Sequence, residues 1–241
     1  MNKVCVIIPA LNPTRDLIDY IYELLNFNVS EIVVVNDGSM ESCKPIFHQI
    51  QLMQNCTVLT HERNKGKGRA LKTAFEYILK NRNVHGVITA DADGQHSVED
   101  VINIAKKMAD VQNGILLGVR DFDQDHVPAR SYAGNKITSF LFQLLFKIKL
   151  QDTQTGLRGI PIKMLPFLLS LEGERYEYEM NMLIAAAKRK IPIRQIPIQT
   201  IYINKNKSSY YHPFKDSLKI FSIIISGSVA NKKLNEGEEH V

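Results

Sequence analysis

The chain has 241 residues, 44% of them hydrophobic and 23% charged, with a net charge of +5. That suits one α/β domain with a full core, and no internal repeat or low-complexity segment points to another architecture. No apolar run reaches the ~20 residues of a membrane-spanning helix, and no charged-then-apolar opening segment suggests a signal peptide.

The residues from Lys3 to Ala10 are apolar on both faces, as buried parallel strands are. Leu11-Asn12-Pro13-Thr14 follows, and Leu17, Ile18, Ile21, Leu24 and Leu25 then fall at helical spacing. Glu31 to Asn36 reads as a second strand that ends in Asp37-Gly38-Ser39. A helix is expected over 43–53 and a short strand over 57–60. Asn64-Lys-Gly-Lys-Gly68 opens a helix carrying Leu71, Phe75, Ile78 and Leu79. Free N–H groups at such a start favour anions. Val84 to Ala90 is a strand that breaks into Asp91-Ala-Asp-Gly-Gln-His96. Ser97, with Asp100 three residues on, caps the next helix. Ile115 to Val119 forms a strand ending at Arg120.

Strand–helix alternation repeated about four times predicts a doubly wound, mostly parallel sheet flanked by helices. Such sheets bind ligands at the carboxyl ends of their strands, where Asn12, Asp37, Asp91, Asp93 and Arg120 fall.

Beyond Arg120 the pattern changes. An acidic loop covers 121–125, and an apolar helix is expected over about 137–148. A polar turn covers 151–158, and 177–190 reads as helix. The alternating stretch 191–203 reads as an edge strand, because Pro192 and Pro197 cannot donate to a ladder. Phe214 to about Val229 is an amphipathic helix pattern, and the last residues are polar. The expected organisation is a single domain over 1–230, with a nucleotide-binding half (1–120), an acceptor-binding half (121–230) and a tail over 231–241.

Two carboxylates on one side of a strand end, Asp91 and Asp93, repel unless a cation sits between them. A hard divalent cation, Mg²⁺ or Mn²⁺, suits oxygen ligands, and Gln95 can add a neutral oxygen. Taken alone, the same residues fit a surface turn. His96 lacks partners at zinc spacing. The cysteines Cys5, Cys43 and Cys56 lack it too, and their odd, scattered number fits reduced thiols in the cytosol.

Lys188, Arg189, Lys190, Arg194, Lys205, Lys207, Lys215 and Lys219 lie in a stretch whose only acid is Asp216. With Tyr202, Tyr210, Tyr211 and Phe214 among them, they fit an anionic membrane face or a solvated surface. A nucleic-acid binder needs a recognisable module, and none appears.

Four segments in order, Ile8-Pro-Ala-Leu-Asn12, Val34-Val-Asn-Asp-Gly-Ser39, Asn64-Lys-Gly-Lys-Gly-Arg-Ala-Leu71 and Asp91-Ala-Asp-Gly-Gln-His96, resemble glycosyltransferase family 2, with its Rossmann-like GT-A fold. Asp152-Thr-Gln-Thr-Gly-Leu-Arg158, Tyr176-Glu-Tyr-Glu179 and Asn206-Lys-Ser-Ser209 are similar to the polyprenyl-phosphate, dolichol-phosphate-like hexosyltransferase branch. The resemblance spans about residues 3–220. It implies that Pro9, Ala10 and Asn12 line a nucleoside pocket and that Asp37 binds the base. Lys67 and Arg69 would lie near the base and diphosphate. Asp91, Asp93 and Gln95 would hold Mg²⁺ or Mn²⁺ against that diphosphate. Arg120 and Arg130 would contact donor or acceptor phosphate, and Asp152 would sit beside the reacting sugar. One departure is visible: members usually carry Asn-Glu where this chain has Asn12-Pro13, which removes a carboxylate from the pocket.

The implied reaction is inverting transfer of a hexose from a nucleotide sugar, UDP- ahead of GDP-, to a lipid phosphate. An anionic acceptor needs basic residues to hold it, which suits Arg130, Lys205 and Lys207. A saccharide or wall-polymer hydroxyl needs a carboxylate base, and Asp152 is the candidate. Nucleotidyl transfer is a further alternative. Glu177 and Glu179 stand two apart on a helix, so at most one is expected to face the site; for either, a solvated Glu is the default. The expected location is the cytoplasmic membrane face, reached through the Phe214–Val229 helix and the basic stretch, with a separate membrane partner or a homo-oligomer as further possibilities.

Overall fold

The computed structural model describes residues 3–27, 29–124 and 127–201. Within them the chain runs β1 (Val4–Ala10), α1 (Asp16–Asn26), β2 (Glu31–Asn36), α2 (Lys44–Gln51), β3 (Cys56–Thr60), α3 (Lys67–Asn81), β4 (Gly86–Thr89), α4 (Val98–Lys107) and β5 (Ile115–Arg120). It continues through α5 (Ala129–Phe146), β6 (Arg158–Pro161), α6 (Leu165–Leu169), α7 (Glu177–Lys188) and β7 (Ile193–Ile198).

Seven strands form one sheet in the order β3-β2-β1-β4-β6-β5-β7. The pairs β1–β2, β1–β4, β2–β3 and β5–β7 are parallel, so the mostly parallel, doubly wound expectation holds. The two faces of β1 show why its sequence is apolar throughout. Val4, Val6, Ile8 and Ala10 join one buried cluster with Leu17, Ile21, Phe47, Ile50, Val101 and Ile104 from α1, α2 and α4. Cys5 and Ile7 join a second with Leu71, Phe75, Ile78, Leu165, Leu168 and Met182 from α3, α6 and α7. A third small cluster seats α5 and α7 on β5 through Phe142, Leu183, Leu117 and Val119.

Periodicity missed one strand. β6 runs antiparallel between β4 and β5. Its four residues, Arg158-Gly-Ile-Pro161, are too short and too mixed to carry a period. β7 is indeed at the edge, in register with β5 from Ile115↔Ile193 to Arg120↔Ile198. α5 begins eight residues before the apolar run that predicts it, because its first turns are polar. The expected helix Phe214–Val229 and the tail over 231–241 lie outside the described residues.

Ser97 caps α4 as its sequence predicts: its Oγ accepts the Asp100 N–H at 3.1 Å. The start of α3 is built differently. Gly66 takes φ +104, a left-handed value that favours glycine. A Cβ at Gly68 would stand 2.6 Å from Tyr178 Cβ and 2.8 Å from the Glu174 carbonyl carbon. The glycines therefore let α3 lie directly against the segment leading into α7. Gly68→Ala gains up to ~1 kcal/mol of helix propensity but must push backbone aside, at a cost of ~1–3 kcal/mol. We expect a net loss of stability and a lower urea midpoint; an unchanged midpoint would refute the close-contact explanation.

Candidate functional site

Asp91 follows β4 and turns the chain out of the sheet, with Gly94 at φ +77 completing the turn. Its Oδ1 lies 2.6 Å from Lys67 Nζ, and the same ammonium lies 2.8 Å from Glu179 Oε2. One cation thus ties the end of β4 to the first turn of α3 and the first turn of α7. Burial works to raise the Asp91 carboxyl, but the Lys67 charge and hydrogen bond override it, and Asp91 stays below the ordinary carboxylate range. Lys67 is held as an ammonium against the pull of its own burial by Asp91 and Glu179.

Asp93 goes the other way. Burial and then the charge of Asp91 push its carboxyl up to about 6. Its Oδ1 accepts the Gln95 N–H at 3.2 Å. His96 is buried, and its Nδ1 accepts the Asp91 N–H at 3.1 Å. Burial lowers its pKa to about 4, with Arg120 and Lys67 adding to the effect. The ring is therefore neutral at pH 7, carries its proton on Nε2 and braces the Asp91 backbone.

Arg120, at the end of β5, forms a fork with Asp152 through Nε–Oδ2 at 2.7 Å and an Nη2–Oδ1 hydrogen bond at 3.3 Å. Asp152 is 0% exposed. Its Oδ2 also accepts the Arg120 N–H at 3.4 Å, and its Oδ1 the Gln154 N–H at 2.9 Å. A carboxylate offers about four acceptor positions, so all are filled from within the protein. Asn135 of α5 clamps the same loop. Its Nδ2 donates to Gln151 O at 2.6 Å and its Oδ1 accepts the Thr153 N–H at 3.2 Å. Thr138 pairs with Thr153 at 2.9 Å between hydroxyls.

The residues expected to line a nucleoside pocket lie at the ends of β1 and β2. Pro9 and Ala10 pair with Val35 and Asn36. Asn12, at φ +49, accepts the Met40 N–H at 2.8 Å through Oδ1, and its own N–H donates to Ser39 Oγ at 2.8 Å. Asp37 is buried. Its carboxylate accepts the N–H groups of Lys65 (2.9 Å) and Gly66 (2.8 Å), with His61 Nδ1 2.7 Å away.

This corrects the expectation of free N–H groups ahead of α3. Those of Lys65 and Gly66 belong to Asp37, and that of Arg69 to Glu174 O at 2.9 Å. The basic side chains there are not all solvent-facing either. The Arg69 guanidinium pairs with Glu174, Nη2 donating to Oε1 at 2.7 Å. The default of a solvated Glu at 177 and 179 is overturned as well. Both are buried, Glu179 on Lys67 and Glu177 accepting the Glu174 N–H at 3.4 Å. The side chain of Arg130 and the residues Lys205 and Lys207 lie outside what the structure describes.

Three contributors escaped the sequence reading. Gly156 brings its backbone against Asp91, where an added Cβ would stand 2.5 Å from Oδ2. Thr89 Oγ1 donates to the Gly156 carbonyl at 2.6 Å, fixing that approach. Arg158 is buried and donates to Thr155 O at 3.2 Å and Glu179 O at 2.6 Å, supporting both loops from beneath. For Gly156 and Arg158 the only sequence signal was their place in the Asp152–Arg158 motif; Thr89 is simply the last residue of β4. Among the described residues no three His, Cys, Asp or Glu side chains form a ready-made metal cage.

With this geometry in view, the likenesses of the chain are informative. A 30% identical relative, covering 83% of this chain and 86% of its own length, is the UDP-N-acetylglucosamine--dolichyl-phosphate N-acetylglucosaminyltransferase of Methanococcus voltae. The dolichyl-phosphate beta-glucosyltransferase of Dictyostelium discoideum is 28% identical over 81% of this chain and 61% of its own. Among solved structures, mannosyl-3-phosphoglycerate synthase from Rubrobacter xylanophilus superposes with a TM-score of 0.66 at 16% identity, over 98% of this chain and 75% of that one. It speaks for the fold alone. Residues 5–166 match the sequence profile of Glycosyl transferase family 2, and the chain belongs to that family.

Proposed function

We propose that the protein transfers a hexose, with inversion, from a nucleotide sugar to a polyprenyl phosphate at the cytoplasmic membrane face. The observation that carries this reading is the pair Asp91 and Asp93 at the carboxyl end of β4, flanked by Lys67 and Arg120. Two carboxylates and two fixed cations at one strand end suit a diphosphate bridged by a divalent cation.

The donor set fits Mg²⁺ or Mn²⁺ on two observations. Asp93 holds its proton up to about pH 6 because burial and Asp91 oppose its charge, the situation a cation relieves. Glu179 Oε1 is buried with no hydrogen-bond partner among the described residues, so one acceptor oxygen is left open beside the Lys67 pair. Such a metal typically uses one or two carboxylates and takes its remaining oxygens from phosphate and water. Asp91, Asp93 and Gln95 would hold it, and it would supply charge stabilisation for the leaving diphosphate.

The chain's own residues do the rest. Lys67 and Arg120 bring fixed positive charge to the leaving nucleoside diphosphate as the sugar C1–O bond breaks. Gly156 leaves Asp91 room beside it. Asp152 orients the Arg120 guanidinium. Asn12, Asp37, Pro9 and Ala10 shape the nucleoside end, and Arg69, paired with Glu174, adds positive charge at the start of α3.

The acceptor follows from Asp152. With all its acceptor positions filled, it has no oxygen lone pair open to a substrate hydroxyl unless Arg120 swings away. A hydroxyl acceptor needs such a base; a phosphate oxygen, already anionic, does not. The geometry therefore favours a phosphate acceptor over a saccharide hydroxyl, with Arg130, Lys205 and Lys207 as its candidate anchors. The Methanococcus relative's name supports UDP as the carrier and a lipid phosphate as the acceptor. Three buried free thiols suit a reducing compartment.

Thermal-shift measurements with UDP-, GDP- and dTDP-sugars, each with and without Mn²⁺, are expected to give a metal-dependent rise for the UDP-sugar; silence from every donor would count against the reading. Asp93→Ala should lower kcat by at least ~10² while the folded melting profile survives, and full turnover in that variant would refute the metal assignment. Gly156→Ala should raise KM for the donor and lower kcat, since its Cβ displaces the Asp91 carboxylate; wild-type kinetics would show that the contact does not matter.

A further inference from the structure

The helix that clamps the Asp152 loop has an unusual distribution of polarity. Its inward face carries Asn135 and Thr138, bonded to residues 151 and 153. Its outward face is apolar: Ile137 is 56% exposed, Phe140 64% and Leu144 51%. With Ala133 they stand at i, i+4, i+7 and i+11, which is one stripe of an α-helix. Among the other large exposed apolar side chains of the described residues, Tyr132 lies on α5 off the stripe and Tyr22 and Leu52 line one hollow between α1 and α2; on α5 three fall in a single row.

Charge says what meets this stripe. From Ala129 to Leu150 the sequence contains Arg130, Lys136, Lys147 and Lys149 and no acidic residue. Lys136 flanks the stripe and pairs with Asp123 at 3.0 Å, while Lys147 and Lys149 are exposed just past the end of the helix. An apolar stripe edged by lysines suits the headgroup–acyl boundary of an anionic bilayer.

We propose that α5 is an interfacial helix. Ile137, Phe140 and Leu144 enter the lipid surface, and the inner face of the same helix clamps residues 151 and 153 on either side of Asp152. The inference rests on the reading of a lipid-phosphate acceptor and deepens it. Docking through the stripe brings the bilayer surface to the helix that clamps the Asp152 loop, the side on which a lipid-borne phosphate would arrive.

The test uses the full-length chain and a triple variant, Ile137→Gln, Phe140→Gln and Leu144→Gln. The probes are phosphatidylcholine vesicles with and without about 30 mol% phosphatidylglycerol, an anionic fraction that sets a negative surface potential. We expect the wild type to float with the anionic vesicles and the variant to partition about tenfold less, as loss of buried apolar area demands. Turnover of a short, water-soluble prenyl phosphate and the melting temperature should be the same for both.

A wild type that stays in the dense fraction, or a variant that floats equally well, overturns the proposal. So does a variant that melts differently, which means the chain itself covers the face, or one that changes mass by light scattering, which means a second copy does. Flotation without turnover of the soluble acceptor would sink the acceptor assignment and leave the docking face standing.

Discussion

A single ammonium, Lys67 Nζ, binds two carboxylates from two different elements, Asp91 after β4 and Glu179 on α7. Removing a buried charge's partner is costly, because the charge left behind has no solvent to answer it. The arrangement around Lys67 is therefore mutual. Asp37 fixes the loop that delivers Lys67, and Gly66 and Gly68 let α3 lie close enough to the 174–178 segment for Glu179 to reach it. Arg158 holds the carbonyl of Glu179 from below. Four separate stretches of sequence, about 37, 67, 91 and 179, depend on one another through a group a few ångströms across.

The local charge count follows from that design. Asp91, Asp93, Asp152 and Glu179 face Lys67, Arg120 and Arg158, with His96 neutral among them. Pairing is complete for Asp152 and nearly so for Asp91, and it fails at Asp93 and at one oxygen of Glu179. The rest of the network is rigid by comparison, which is what a site needs if it is to hold dipoles in place rather than reorganise them during reaction.

Much of this was legible in the sequence. The apolar runs of β1, β2, β4 and β5 carry a buried-strand signature, and the polar residues punctuating them marked the rim correctly. Local chemistry was legible too, as with the Ser97 cap. What sequence could not give were pairings between residues far apart in the chain. Nothing local shows that Asp37 takes the N–H groups of 65 and 66, or that Arg120 and Asp152 face each other. The burial of Glu177 and Glu179 is hidden for the same reason: a helix's first turn reads as solvated until what packs on it is known. Strand β6 was missed because its four residues are recruited by their neighbours β4 and β5 rather than by any period of their own.

That antiparallel strand has an architectural consequence. A parallel strand must cross the molecule before returning, so its rim loops are spaced far apart in sequence. β6 runs against β4, with Thr89 opposite Arg158, so the loop entering β6 arrives at the same rim that β4 leaves. The segment 147–157 is thereby a cassette hung between α5 and β6. Changes of length or composition within it reshape one bank of the crevice while the register of β1, β2 and β4 stays as it is. A scaffold of this kind can be altered at a single joint while the opposite side, built on β1 and β2, is left untouched.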